Sequence, residues 1–163
     1  MFDRILAYLA SPPTAAPGAL AAPYPRRVVA VAALLVELAQ SDRGLADREL
    51  ATVERIVRER FGMDEAGASR LVEAARRELA ASLEDWVFAH AVREGFDAAE
   101  RGGIVALLWE VVYADGHLAR LEESQMRRIA AALGVSDADR EAARAQAFAR
   151  LGRAGASDAQ EAE

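Results

Sequence analysis

The 163-residue chain contains no cysteine and no lysine, and its only histidines are His90 and His117. The lack of cysteine excludes a disulfide scaffold, a thiolate metal site and a cysteine nucleophile. With only two histidines, a zinc site would have to take most of its ligands from carboxylates. Twenty arginines against 26 acidic residues give a formal net charge of −6, which disfavours binding to nucleic acid or to an anionic membrane.

Long hydrophobic runs are also missing. The longest fully apolar run, Val28 to Val36, covers nine residues, whereas a membrane-spanning helix needs roughly 20. The first ten residues carry Asp3 and Arg4 inside an apolar stretch, so they do not match a signal peptide. These features predict a cytoplasmic protein. The apolar fraction of 53% is enough to form one core, which predicts one main domain.

Apolar residues recur with the 3.6-residue period of α-helices along most of the chain, and no segment alternates at period two for long enough to form a strand. The sequence therefore predicts an all-α fold of about seven helices joined in short hairpins. The last helix is predicted from Asp137 to Leu151, with Ser136 as its N-cap. On the fourth predicted helix of this domain, His90 lies at helical spacing from Leu83 and Trp86, which predicts a core or subsurface histidine. A ligand or acid–base role is the alternative.

The ends of the chain differ from its middle. Residues 1–10 are predicted to form a short amphipathic helix that docks on the domain, because its apolar residues follow helical spacing; these are Phe2, Ile5, Leu6 and Leu9. A membrane-surface or partner-helix role is the alternative. Residues 11–25 hold all five prolines and are predicted to be a linker. Residues 26–152 form the predicted helical domain, and residues 153–163 are predicted to be a flexible tail.

An internal repeat is the most informative feature of the sequence. At a shift of 73 residues, Leu34-Leu-Val-Glu-Leu-Ala-Gln-Ser-Asp aligns with Leu107-Leu-Trp-Glu-Val-Val-Tyr-Ala-Asp. After Phe61 the shift becomes 72, so that Gly62 aligns with Gly134. The repeat predicts two copies of one helical hairpin related by a pseudo-twofold axis.

Each copy carries a glutamate, an aspartate five residues later and a second glutamate seven residues after that. In a helical hairpin these three carboxylates would converge at one end. Clustered carboxylates must be protonated, pair with arginine or bind a cation. Oxygen ligands suit Ca²⁺, Mg²⁺ or Mn²⁺, and a histidine would shift the preference towards Zn²⁺ or Mn²⁺. The predicted metal ligands are Glu37, Asp42, Glu49, Glu110, Asp115, His117 and Glu122.

A structural interpretation of these acids stays open beside the metal. An aspartate in a turn satisfies backbone N–H groups, and a glutamate near a helix start is favoured by the helix dipole. These local roles do not account for Glu37 and Glu110, which lie near predicted helix C-termini, where the dipole disfavours an acid. Pairing with arginine is the alternative for those two residues.

The segment Leu107-Leu-Trp-Glu-Val-Val-Tyr-Ala-Asp-Gly-His-Leu, continued to Arg140, resembles the second hairpin of the tellurite-resistance TerB family. The resemblance covers roughly residues 25–150. It implies an all-helical domain with an internal duplication, acidic residues that bind a divalent metal, and a link to tellurite or other stress responses, sometimes at the inner face of the membrane. The first copy departs from the pattern, because Arg43 follows Asp42 where Gly116 follows Asp115. Arg43 would occupy the first site itself, so the second copy fits a metal better.

These observations favour a cytoplasmic binding domain over an enzyme. The sequence has no Gly-x-Ser-x-Gly element and no phosphate-binding glycine motif, and it indicates no small-molecule substrate. Binding of a divalent cation (Ca, Mg, Mn or Zn) is the expected function. The first alternative is a metal-independent module that holds a protein partner, membrane-associated or not, or a second copy of the chain. The second is a metal-dependent hydrolase.

Overall fold

The computed structural model describes residues 24–40, 47–82, 86–114 and 120–160, except for the side chains of residues 120–122 and 153–160. Within these ranges the chain forms seven helices and no strand, which confirms the all-α prediction. The helices are α1 (Arg26–Ala39), α2 (Asp47–Phe61), α3 (Glu65–Ala81), α4 (Val87–Gly95), α5 (Ala98–Ala114), α6 (Arg120–Ala132) and α7 (Asp137–Gln160). The predicted helix of residues 1–10 lies outside the described residues.

Helices α1 and α5 form the centre of the domain. Every residue from Val28 to Val36 and from Ile104 to Val112 is buried. A helix that is apolar on all sides has no face to offer to water, so it must be enclosed by other helices. Helix α1 accordingly contacts α2, α3, α4 and α5, and α5 contacts α2, α6 and α7 as well. No helix in the described ranges is both long enough and apolar enough to cross a membrane.

The outer helices turn one apolar face towards this centre. Helix α2 buries Val53, Ile56, Val57 and Phe61. Helix α6 and the residue that follows it bury Met126, Ile129, Ala130 and Leu133. Because full burial of such a side chain stabilises the fold by roughly 1.5–3 kcal/mol, these stripes hold the outer helices in place. Helix α7 continues nine residues past its predicted end at Leu151.

The turns after α2 and α6 have the same backbone structure, 72 residues apart. Each contains a glycine in the left-handed region, Gly62 with φ 61° and Gly134 with φ 69°. In each turn the residue after the glycine donates its N–H to the carbonyl five residues earlier, as Schellman turns do. These bonds are Met63 N to Arg58 O at 3.1 Å and Val135 N to Ala130 O at 2.9 Å.

The helices that follow these turns are also capped alike. The Asp64 side chain accepts a hydrogen bond from the Gly67 N–H at 2.7 Å, and the Ser136 hydroxyl accepts one from the Asp139 N–H at 3.1 Å. The predicted N-cap at Ser136 is therefore confirmed. Turn and cap repeat together, so the duplication read in the sequence has a local structural counterpart. The pseudo-twofold relation of the hairpins stays a prediction.

The buried face of α4 differs from its prediction. The side chains packed in the core are Phe88, Ala89 and Val92. Trp86 is 43% exposed, and His90 is exposed and lies with its Nε2 atom 3.3 Å from Oε1 of Glu94. The prediction of a core or subsurface histidine was therefore wrong. The prediction assumed that Trp86 faces the core. In the structure Phe88 and Val92 face the core instead, and their burial determines the orientation of the helix.

Candidate functional site

In each repeat, the two glutamates lie near the helix ends that flank the hairpin connection. Glu37 lies in the last turn of α1 and Glu49 in the first turn of α2. Glu110 lies in the last two turns of α5, and Glu122 in the first turn of α6. The remaining predicted ligands lie outside the described residues, as does the Glu122 side chain; they are Asp42, Asp115 and His117. Among described side chains, no group of three or more acids or histidines is placed to hold a metal.

Glu110 is the one charged residue that is buried among the described side chains, with 4% of its surface exposed. Arg60 on α2 donates to its Oε2 atom from Nε at 3.4 Å and from Nη2 at 3.2 Å. Arg150 on α7 donates from Nη1 to the Oε1 atom at 3.1 Å. One carboxylate therefore joins helices α2, α5 and α7.

We call the ion pairs of Glu110 with Arg60 and Arg150 the Glu110 clamp. This clamp explains why an acid is tolerated inside an apolar helix. Taking a carboxylate out of water costs several kcal/mol unless charged donors satisfy both of its oxygens. Two guanidinium groups do so here, and charge-assisted bonds of this kind are stronger than neutral ones. A cation bound directly to Glu110 would have to compete with both arginines. Of the interpretations left open for Glu110, this geometry supports pairing with arginine.

Aromatic side chains pack next to the clamp. The rings of Trp109 and Tyr113 stack with centroids 5.8 Å apart, and Phe148 meets Tyr113 edge-on at 5.9 Å. Arg144 lies over the Trp109 ring at 5.1 Å and donates from Nε to the Tyr113 hydroxyl at 2.8 Å. The hydrogen bond to Tyr113 raises the pKa of the Arg144 guanidinium above its ordinary value. These contacts give the cluster a packing role on the α5–α7 face.

Glu37 has different surroundings from its repeat counterpart Glu110. It is half-buried and lines an open cleft of about 290 Å³ between α1, α4 and α6. We call this space the Trp86 cleft, because the guanidinium of Arg128 lies 5.2 Å from the centroid of the exposed Trp86 ring. The cleft is lined by Leu34, Glu37, Trp86, Ala89, Ser124, Gln125, Arg128 and Ile129. Apolar side chains therefore meet polar and charged ones in one concave surface.

The sequence alone did not predict a role for Arg60 or Arg150, or the Trp86 cleft. One signal for the clamp was present, because Glu110 interrupts a continuous apolar run from Ile104 to Val112. An acid within a helix that is apolar on all sides must be buried and must find a cationic partner. No sequence pattern says which of twenty arginines supplies it.

Comparison with known proteins agrees with this architecture. No curated protein and no solved structure matches the chain significantly. The model of one family, described as tellurite resistance protein TerB, matches residues 28–145, which include all of α2 to α6 and most of α1. This match spans well over half of the chain, so the chain belongs to the TerB family.

Proposed function

We propose that the chain is a protein-binding domain, not an enzyme, and that its contact site is the Trp86 cleft. The observation that carries this proposal is the exposed pair of Trp86 and Arg128. Tryptophan and arginine are the residues that most often dominate the energy of protein interfaces. Trp86 leaves 43% of its surface in contact with solvent, whereas the other tryptophan of the chain, Trp109, is buried.

The lining of the cleft defines the chemistry of the partner. Leu34, Ala89 and Ile129 form an apolar floor, and a volume of about 290 Å³ suits one or two side chains rather than a large ligand. Arg128 is exposed and offers a positive charge, whereas Glu37 in the same lining is half-buried. The side chains of Ser124 and Gln125 offer hydrogen bonds to a backbone. The expected partner is therefore a peptide segment in which an acidic residue neighbours a large apolar one.

Selection from a random peptide library on the immobilised full chain tests this proposal. We expect enrichment of peptides that combine an acid with a large apolar residue, and loss of their binding in Trp86→Ala and Arg128→Glu. Arg127→Glu is the matched control, because Arg127 is exposed on the same helix outside the cleft. Absence of enrichment, or enriched peptides that bind all three variants equally, would rule out the cleft as the contact site.

Cation binding is the second candidate function. It is favoured by the helix ends that flank each hairpin connection with two glutamates, and by the turn and cap that repeat 72 residues apart. The proposed ligands are Glu37, Asp42, Glu49, Asp115, His117 and Glu122, with Ca²⁺, Mg²⁺, Mn²⁺ or Zn²⁺ as the ion. Glu110 then serves as the structural anchor of the second hairpin.

Thermal unfolding of the chelator-treated chain tests the cation. A metal at 100 times its dissociation constant stabilises the fold by about 2.7 kcal/mol, so a clear rise in Tm is expected. Asp115→Asn should remove that rise, whereas Glu59→Gln, an exposed acid paired with Arg55 elsewhere on α2, should keep it. An unchanged Tm with all four metals would remove this candidate.

The link to tellurite or to a stress response rests on the family alone. It is tested by comparing growth on tellurite of host cells with and without the intact chain. If the binding cleft is what matters, Trp86→Ala should fail to restore growth that the intact chain restores.

A further inference from the structure

A second cleft lies at the start of the described domain, between α1, α3 and α4. Its volume is about 390 Å³. The walls include Val29 from α1, Ala74 and Ala81 from α3, and Val87 and Phe88 from α4. Ala74 and Ala81 are seven residues apart on one face of α3, and their small side chains leave space that larger ones would fill.

We infer that residues 2–9 of this same chain dock in the α1–α3–α4 cleft. The first described residue, Tyr24, lines the cleft, and its hydroxyl donates a hydrogen bond to the Gly67 carbonyl at 2.9 Å. The chain therefore joins the domain at the edge of the cleft. Residues 10–23 would extend at most roughly 50 Å, so residues 2–9 are held within reach at an effective concentration on the order of millimolar.

The apolar pattern of the segment matches the apolar character of the cleft. Phe2, Ile5, Leu6 and Leu9 have the i, i+3, i+4, i+7 spacing of one helix face. Such a short helix is unstable alone in water, so its apolar face needs a surface to cover. Ala74 and Val87, which are partly buried, and Ala81, which is exposed, supply an apolar surface of this kind at the place where the chain enters.

The charges at the rim are also complementary. Arg26 and Glu78 are exposed at the edge of the cleft, and the segment carries Asp3 and Arg4 next to its apolar residues. Helix α1 has no acidic residue in its first turn and no side-chain N-cap, so its positive end adds to the charge of Arg26. The charges of Asp3 and Arg4 in the segment are therefore opposite in sign to those of Arg26 and Glu78 at the rim.

Paramagnetic relaxation in the full chain tests this docking. Because the chain has no cysteine, Ala7→Cys provides a single site for a nitroxide label, opposite the apolar face of the segment. We expect selective loss of amide signal intensity at Ala74 and Val87. The double substitution Phe2→Ser and Ile5→Ser should restore those signals, whereas Leu20→Ser, an apolar residue outside the segment, should not.

The cleft itself is tested by substitutions on α3. Ala74→Arg should fill the cleft and abolish the selective signal loss, whereas Ala80→Arg, exposed on the same helix, should leave it unchanged. If Ala74→Arg reduces the helical circular dichroism, Glu78→Lys at the rim provides the same test without filling the interior. Here too, selective signal loss should weaken.

Three outcomes would overturn the inference. Signal loss could be uniform, or it could centre on another surface of the domain. It could also arise between molecules. This is detected by mixing nitroxide-labelled chain at natural isotope abundance with ¹⁵N-enriched chain that carries no nitroxide. Loss of signal in that mixture would identify a second copy as the occupant.

Discussion

Arg60 and Glu110, 50 residues apart in the chain, join helix α2 to helix α5 through two hydrogen bonds to one carboxylate oxygen. Arg150 holds the other oxygen from α7. Helices from both halves of the repeat therefore meet at a single buried charge. Because removal of the carboxylate would leave two guanidinium groups without their partner, this clamp is a sensitive point of the fold.

Glu110→Gln should lower the free energy of unfolding by roughly 2–3 kcal/mol. Breaking a buried ion pair usually costs more, but Arg60 and Arg150 keep 30% and 24% of their side chains exposed, so water reduces the loss. Urea unfolding followed by circular dichroism measures the change. An unchanged m-value would show that the substitution acts on stability and not on the compactness of the unfolded chain.

The matched control for this prediction is Glu73→Gln. Glu73 also contacts two arginines, Arg76 at 3.2 Å and Arg77 at 3.6 Å, but its side chain is 48% exposed. Surface pairs of this kind contribute at most about 1 kcal/mol. Equal losses of unfolding free energy in both variants would mean that burial does not make the ion pairs of Glu110 more stabilising than those of Glu73.

Gly62→Ala and Gly134→Ala should each destabilise the fold by roughly 1–2 kcal/mol, because both residues have positive φ values. At Gly134 the new side chain would also meet a neighbour. An added Cβ there would lie 3.0 Å from Nη1 of Arg101, which donates a hydrogen bond to the Leu133 carbonyl at 2.9 Å. Thermal and urea unfolding of the two variants measures these losses.

Gly102→Ala should change the stability of the fold in the opposite direction. Gly102 lies inside α5, and a Cβ there would meet no atom within 4 Å. Replacing a helical glycine with alanine in open space should stabilise the chain by roughly 0.5–1 kcal/mol. If all three alanine variants shifted stability in the same direction, backbone conformation would not be the cause of the effect.

Much of the fold was predictable because its determinants are local. The N-cap at Ser136 and the repeat of Gly62 at Gly134 depend only on neighbouring residues, and both are found in the structure. The core stripes followed from helical periodicity for the same reason. The error at His90 has another origin, since the rotation of the short helix α4 is determined by its contacts with α1 and α6, which no local pattern encodes.

The candidate sites were less predictable. Glu110 was singled out by its spacing in the repeat, but its partners Arg60 and Arg150 come from helices 50 and 40 residues away. The Trp86 cleft depends on three helices meeting, so it has no signature in any single segment. Charge partners and concave surfaces of this type emerge only when tertiary packing is known.

Tyr113→Phe should lower stability by about 1 kcal/mol, because it removes the acceptor of the 2.8 Å bond from Arg144. Both residues are partly exposed, so water replaces part of the lost bond. A double-mutant cycle with Arg144→Gln isolates the contribution. A coupling energy near zero would mean that the contact of Arg144 with the Trp109 ring, and not the hydrogen bond, holds the side chain in place.

Glu110 also distinguishes the two interpretations of the repeated acids when metal is added. If arginine pairing is its role, Glu110→Gln should start from a lower Tm but show the same metal-induced rise as the unchanged chain, because its oxygens already bind Arg60 and Arg150. Asp115→Asn should start near the original Tm and lose the rise. The opposite pattern, with the rise lost in Glu110→Gln and kept in Asp115→Asn, would make Glu110 a metal ligand whose arginines are displaced on binding.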